Sequence, residues 1–414
     1  MTSSVTKPVT SAESADRLPA VLVVGQDLPH VAQAGSILLY RLFQGWPQES
    51  VVALGPPRPQ GVDSLDCLFV AYEPPFERLE RSRLFKWTRL VHSLGLMPVG
   101  QISQCLPDGF KPQAVVHVLY SMGHADAVYQ YSRKSGVPLI LIVHDDPEQF
   151  NVGFGWARRL ARRRFGKIYA HAARRLCISP EMEQLLHSRY GVRGEVMYPN
   201  RSEHTVPRPL EDAARLKQPG TLTLGYAGGL NYGYGQRLKE MVPILREAGV
   251  RLNIYGGALP EPVGTDVVVN MGRISPPELL WERVKAECDA LLLPYGFPNL
   301  GHEELYRSHF PSKLPEYLAL GMPVIISGPE YATGVKWGLQ HPDACVAITA
   351  QDGDVWQKTL ARLRDDAEWR KSLSASAVIQ GHRDFDPLAI RARFQDIVRS
   401  AVSAESGDPG VTFG

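Results

Sequence analysis

The chain has 414 residues, 44% of them hydrophobic and 21% charged, with a formal charge of +2. That length is too great for one hydrophobic core and fits two domains, and the composition is that of a globular protein. Five cysteines without CxxC spacing (Cys67, Cys105, Cys177, Cys288, Cys345) exclude a zinc ribbon or disulfide framework, and no apolar run is long enough to cross a bilayer.

The first residues, MTSSVTKPVTSAESAD, lack the apolar core of a signal peptide, so 1–17 read as a disordered tail and the protein as cytoplasmic. Leu18 to Gly25 (LPAVLVVG) reads as a buried strand, followed by a turn and the apolar helix ILLYRLFQGW. A dinucleotide-binding chain would show GxGxxG in that turn; here Gly35 and Ser36 stand alone, so that fingerprint is absent. Strands are expected at 51–54, 67–72, 114–120 and within 137–146, with a basic helix over 77–96. The 137–146 strand delivers His144, Asp145 and Asp146 at its C-terminal end, the edge where open α/β sheets bind ligands. Asp145-Asp146 reads as a turn.

Residues 156–175 (WARRLARRRFGKIYAHAARR) hold eight Lys/Arg and no acidic residue, with Trp156, Leu160, Phe165, Ile168 and Tyr169 spread around a helical period. Such a segment suits an anionic membrane surface, a solvated face or a phosphate-bearing acceptor. Nothing resembles a base-reading motif, so no nucleic-acid partner is expected. After strands at 175–179 and 195–200, the polar, proline-bearing stretch 201–220 reads as a linker.

The second half opens with the strand TLTLGY and the turn AGGLNYGYGQ before a helix. Gly228 and Gly229 leave the backbone open to a pyrophosphate, and Arg237 and Lys239 lie just beyond. Strands follow at 250–257, 267–271, 324–327 and 345–349, and single helices at 355–374 and 387–404, before the tail 405–414. The stretch from Tyr306 to Pro329, YRSHFPSKLPEYLALGMPVIISGP, carries the most chemistry. Ser312 caps a helix in which Pro315 is tolerated in the first turn, and Gly321 ends it. His309, Ser312 and Lys313 gather at its N-terminus, a place suited to phosphate, and Glu316 lies one turn further in, where a carboxylate accepts two hydroxyls of one sugar ring. That combination fits a nucleotide with its phosphates at the helix end and its ribose on the glutamate.

The run PSKLPEYLALGMPVI resembles the nucleotide-sugar motif of GT-B glycosyltransferases, most closely the GT4-like group. The resemblance implies an α/β GT-B fold, with two Rossmann-like domains facing each other across a cleft and a last helix crossing back to the first domain. On this chain the domains would be 18–200 (with 387–404) and 221–386. The resemblance implies that Glu316 holds the donor ribose, that His144 lies beside the transferred sugar, that Arg273 and Ile274 contact the base, and that Gly35 and Ser36 serve the acceptor side. It further implies a UDP- or GDP-linked sugar donor, a glycan, lipid-linked or small-molecule acceptor, retention of configuration, and no metal or cofactor.

The chain departs from the pattern twice. Gly229 and Leu230 stand where the family places an arginine that neutralises the leaving phosphate, which leaves Arg237 or Lys239 to replace it. Ser308 stands where a second glutamate contacts the sugar, with Glu303 and Glu304 in the same loop. Those departures keep open an epimerase-like enzyme that does not transfer, and a weakened nucleotide-sugar-binding subunit. Peripheral contact with an anionic membrane through 156–175 remains an expectation.

Overall fold

A computed structural model of the chain describes residues 17–406 apart from 32–33, 76, 97–100, 151–153, 214–215, 258 and 260–263. The two expected tails, but for Arg17 and residues 405–406, lie outside the described residues.

Two parallel sheets form the framework. The first contains β1 (Val21–Val24), β2 (Val51–Gly55), β3 (Leu68–Ala71), β4 (Ala114–Val118), β5 (Leu139–Val143), β6 (Arg174–Cys177) and β7 (Glu195–Val196), in the order β3-β2-β1-β4-β5-β6-β7. The second contains β8 (Thr223–Gly228), β9 (Arg251–Gly256), β10 (Val268–Gly272), β11 (Ala290–Pro294), β12 (Val324–Ser327) and β13 (Val346–Ile348), in the order β10-β9-β8-β11-β12-β13. Both orders run outward from a central first strand, as in the doubly wound, Rossmann-like fold expected from the sequence. The cause is visible in the strand sequences. VLVV, AVVHV, LILIV, ALLLP and VIIS are buried along their whole length, as strands covered on both faces by helices must be.

The chain packs as two units, 1–142 with 150–175 and 391–414, and 143–149 with 176–390. This division differs from the sequence boundary at 200–220, for reasons found inside the second unit. Asp145 Oδ1 lies 2.9 Å from His309 Nδ1, Ser179 Oγ donates to the Ser308 carbonyl at 2.8 Å, and Tyr198 packs on Phe310 with ring centroids 4.7 Å apart. The expected linker is tied down as well. The Leu210 N–H donates to the Gly321 carbonyl, and the Lys217 and Thr223 N–H groups share the Asp289 carboxylate.

In the first unit the C-terminal helix Pro387–Ser406 contributes its residues from Arg391 onward. Phe394 is fully buried between Phe43 and Trp46, at centroid distances of 5.4 and 6.1 Å, and Arg391 donates to Gln44 Oε1 at 2.7 Å.

Several helices differ from the sequence reading. The expected helix 355–374 is two, Gly353–Asp365 and Ala367–Phe385, because Asp366 is extended and its carboxylate caps the Trp369 N–H at 2.9 Å. The segment 77–96 is a short 3₁₀ turn followed by the helix Phe85–Leu94, which Gly95 ends at φ 68°. The basic segment forms the helix Arg158–His171 and then enters β6. Among the described residues no helix is long and apolar enough to cross a membrane.

Truncating Phe394 removes the largest ring that this helix buries. Phe394→Ala should cost about 3–5 kcal/mol in denaturant unfolding; a loss within about 0.5 kcal/mol would show that the helix is not anchored there.

Candidate nucleotide-sugar site

The site is built where β8, β11 and β12 end, beside the point where the order of the second sheet reverses. Between β11 and β12 the chain forms the loop 295–312, the expected donor loop, and the helix Lys313–Ala319. Leu314, Tyr317 and Leu318 are buried, as their spacing predicts. Tyr317 fastens this helix to the end of β8: its hydroxyl accepts from the Ala227 N–H at 2.8 Å and lies 3.2 Å from the Ala227 carbonyl. The expected cap is not made. Ser312 has helical backbone angles, its side chain is exposed, and its hydroxyl makes no capping bond. With only seven residues, the helix brings a modest dipole to the site, so its cation matters more than its end.

That cation is Lys313. Its Nζ lies 4.7 Å from the centre of the Tyr234 ring and 5.7 Å from that of Tyr226. Both rings present a negative π face, which favours the ammonium without neutralising it. Among the described residues Lys313 has no carboxylate partner, and burial pushes its pKa down to about 8. The side chain reaches this position by running across Gly228. A Cβ there would stand 2.2 Å from Lys313 Cε, and the backbone at φ 137° also excludes other residues. Gly229 faces open space, with nothing within 4 Å of an added Cβ. Gly228, Gly229 and Lys313 are therefore brought together, with room beside them for a phosphate.

Glu316 is 6% exposed and points into the protein. Its Oε1 accepts from the Ser202 N–H at 2.8 Å and its Oε2 from the Thr205 hydroxyl at 3.0 Å. The carboxylate thus already holds the stretch after β7 in place, a structural duty that the sequence reading did not foresee.

The donor loop brings further groups. Tyr306 is buried and accepts from the Gly296 N–H at 3.2 Å, while its hydroxyl donates to the Tyr232 carbonyl. This bond holds Tyr232 at φ 57°, a left-handed conformation uncommon outside glycine, with the ring 59% exposed and edge-on to His302 at 6.5 Å. His309 pairs with Asp145, and its carbonyl accepts from the Thr333 hydroxyl. Burial acts to raise the Asp145 pKa, but the His309 bond and the charges of His309 and His144 hold it below the usual carboxylate range. His144 stands beside this pair. Burial pushes its pKa down to about 4, so the ring is neutral at pH 7, and its Nε2 has no hydrogen-bond partner. Asp146 does not form the expected turn with Asp145: it precedes the short helix Pro147–Phe150, accepts from the Glu148 N–H at 3.0 Å and pairs with Arg189 at 2.6 Å.

Other sequence candidates lie apart from this cluster or point inward. Ser308 is buried with its hydroxyl unbonded. Arg237 is buried, stacked on Phe297 at 4.8 Å and 3.6 Å from Glu240, and its Nε and Nη2 make no hydrogen bond. Arg273 and Ile274 follow β10, the first exposed and the second half-buried. Gly35 and Ser36 belong to the first unit. Ser36 donates to Asp27 at 3.2 Å, and a Cβ on Gly35 would fall 2.1 Å from the Asp27 carboxylate, so both residues seat Asp27 at the start of a helix. Sequence reasoning missed Asp27, Tyr226, Tyr232, Tyr234 and Tyr306. The spacing of tyrosines in YAGGLNYGYGQ, interleaved with glycines, was the available signal.

Comparison with known proteins bears on the fold. Residues 40–200 match the family model of the glycosyl transferase 4-like domain. Sucrose-phosphate synthase from Thermosynechococcus elongatus is similar in structure, with a TM-score of 0.67, 16% identity, and coverage of 93% of this chain and 99% of that one. HepE from Anabaena, in complex with UDP and glucose, gives a TM-score of 0.59 at 13% identity over 92% and 100% of the two chains. The lipopolysaccharide outer core galactosyltransferase WaaB gives 0.56 at 16% identity over 93% and 99%. No curated protein matches the chain in sequence. At these identities the likenesses show the fold.

Gly228→Ala forces both a strained φ and a collision with Lys313, and should destabilise the protein by about 1–3 kcal/mol. Gly229→Ala meets open space and should change stability by less than about 1 kcal/mol. Equal thermal shifts for the two variants would contradict the close passage of Lys313 over Gly228.

Proposed function

We propose, for a chain with the fold of GT-B glycosyltransferases whose residues 40–200 form a glycosyl transferase 4-like domain, that it moves a sugar from a nucleoside diphosphate donor to a glycan, lipid-linked or small-molecule acceptor. The observation that carries the reading is Lys313, an amine flanked by two tyrosine rings, without a carboxylate partner among the described residues, beside an open glycine backbone. Taking an ammonium out of water is costly unless an anion arrives, and a diphosphate supplies one. HepE has been crystallised with UDP-glucose, which supports a uridine nucleotide as the first donor to try.

In this mechanism Lys313 and the amides at Gly228 and Gly229 stabilise the charge that grows on the departing diphosphate. Glu316 takes the ribose hydroxyls, sharing its carboxylate with the Ser202 and Thr205 donors or exchanging them. Neutral His144 lies beside the sugar in this reading, and its buried, unbonded Nε2 reaches a sugar hydroxyl once the ring turns outward. The acceptor attacks from the leaving group's side, a donor phosphate oxygen takes its proton, and configuration is retained. Lys313 rather than a metal ion neutralises the leaving group in this reading, with Arg237 as a second cation. Arg273 and Ile274 serve the base, His309 and Ser312 the phosphates, and Gly35 and Ser36 the acceptor.

One observation favours a second reading. Ser308 is buried with its hydroxyl turned inward, so the sugar lacks the acidic contact expected at that position. A nucleotide-sugar-binding subunit, or an epimerase-like enzyme, would tolerate that loss. Mass detection of glycosylated product separates transfer from both.

Lys313→Met should abolish most UDP affinity in calorimetry while raising thermal stability by about 1 kcal/mol, because the desolvated charge is removed. Unchanged affinity would sink the reading. The lysine pKa falls from 10.5 free to about 8 folded, so across that window the unfolded chain binds more protons and the cost of burying Lys313 falls as pH rises. Binding has the opposite trend. Above pH 8 the amine must regain a proton to meet the diphosphate, so UDP affinity should fall by up to about tenfold per pH unit, with proton uptake visible between buffers of different ionisation enthalpy. Glu316→Gln should raise the donor KM and also cost about 1–3 kcal/mol, since an amide cannot accept both existing bonds. A normal donor KM in that variant would remove the ribose role.

A further inference from the structure

Two stretches of the first unit, 81–107 and 150–175, contain twelve Lys and Arg and no Asp or Glu. With 45 basic and 43 acidic residues in all, the rest of the chain therefore carries a formal charge of −10. The two stretches fold against each other: the helix Phe85–Leu94 packs on the helix Arg158–His171, and Arg164 turns inward to pair with Asp126. Arg83, Lys86, Arg158, Arg159, Arg163 and Lys167 are exposed.

Amid these charges sits an aromatic cluster built from both stretches. Phe154 lies edge-on to Trp87 at 5.2 Å and stacked on Trp156 at 5.7 Å. Trp87 is 59% exposed and Trp156 64%, the latter among the largest exposures of any apolar side chain described. Leu84, Leu94 and Leu96 stand out from the same region at 50%, 45% and 63%. Water-exposed indoles are costly unless something covers them, and a cluster drawn from two separate segments is not the accident of one helix face.

We infer that this face docks on an anionic bilayer surface. Arginine and lysine supply attraction to acidic headgroups, and the two indoles supply insertion at the boundary between headgroups and acyl chains, the depth that tryptophan favours. Nucleic acid would use the same cations and could stack on the rings, but it has no use for three protruding leucines. The inference is independent of the transfer reaction, since neither Trp87 nor Trp156 belongs to the donor site.

The test uses the full chain sedimented with vesicles of phosphatidylcholine alone, or of phosphatidylcholine and phosphatidylglycerol at about three to one. Pelleting is expected with the anionic vesicles only, weakening as salt is raised. Trp87→Ser combined with Trp156→Ser should lower that affinity by about tenfold or more while leaving UDP binding and the melting temperature unchanged. Brominated acyl chains should quench part of the fluorescence of the native chain and none of it in the double variant. Exposed positions such as these tolerate serine, and Arg158→Glu with Arg159→Glu gives a second, charge-only arm. Absence of pelleting, equal pelleting by the double variant, or retention on transfer RNA without vesicle binding would each overturn the inference.

Discussion

The site depends on one unresolved charge. Lys313 lies among tyrosine rings with no carboxylate partner among the described residues, and the fold spends several features on keeping it there. Tyr317 ties the lysine's helix to the end of β8, Gly228 makes way for the side chain, and the rings of Tyr226 and Tyr234 flank the amine. A protein interior rarely tolerates an unpaired cation unless its partner arrives from outside. The arrangement has the character of a half-completed ion pair, and its second half would be a ligand.

Much of the framework was legible because parallel strands bury both faces and so read as continuous apolar runs. LILIV and ALLLP need no context to be recognised. The helix of the donor site was legible for a different reason, as a dense local motif whose residues lie within one turn of one another. What stayed hidden was long-range. Nothing in the spacing of Glu316 says that its carboxylate will be met by Ser202 and Thr205 from more than a hundred residues earlier. The tyrosine cluster was hidden likewise, since Tyr226 and Tyr234 share one glycine-rich segment but Tyr306 joins them from a later loop, and all three look like ordinary core residues. Local rules also misled at Asp366, where the apolar period runs through the break and only the capping carboxylate reveals it.

The double duty of Glu316 alters how its chemistry should be understood. A carboxylate with both oxygens occupied is oriented before any ligand arrives, which is the usual way that buried networks position a functional group. The bonds that restrain it come from the segment just after β7, a stretch that the sequence presented as a mere connector. Binding at this carboxylate and order in that stretch are therefore coupled: whatever loosens Ser202 or Thr205 reaches the glutamate directly.

Tyr232 has a wider implication. Its backbone angle is one that glycine occupies freely and a tyrosine only under restraint, and the Tyr306 hydroxyl supplies the restraint. Left to drift, such a position would settle on glycine or asparagine, as its neighbours 228, 229 and 233 already have. Among descendants of a common ancestor, the phenol at 306 and the ring at 232 should accordingly be inherited or discarded together.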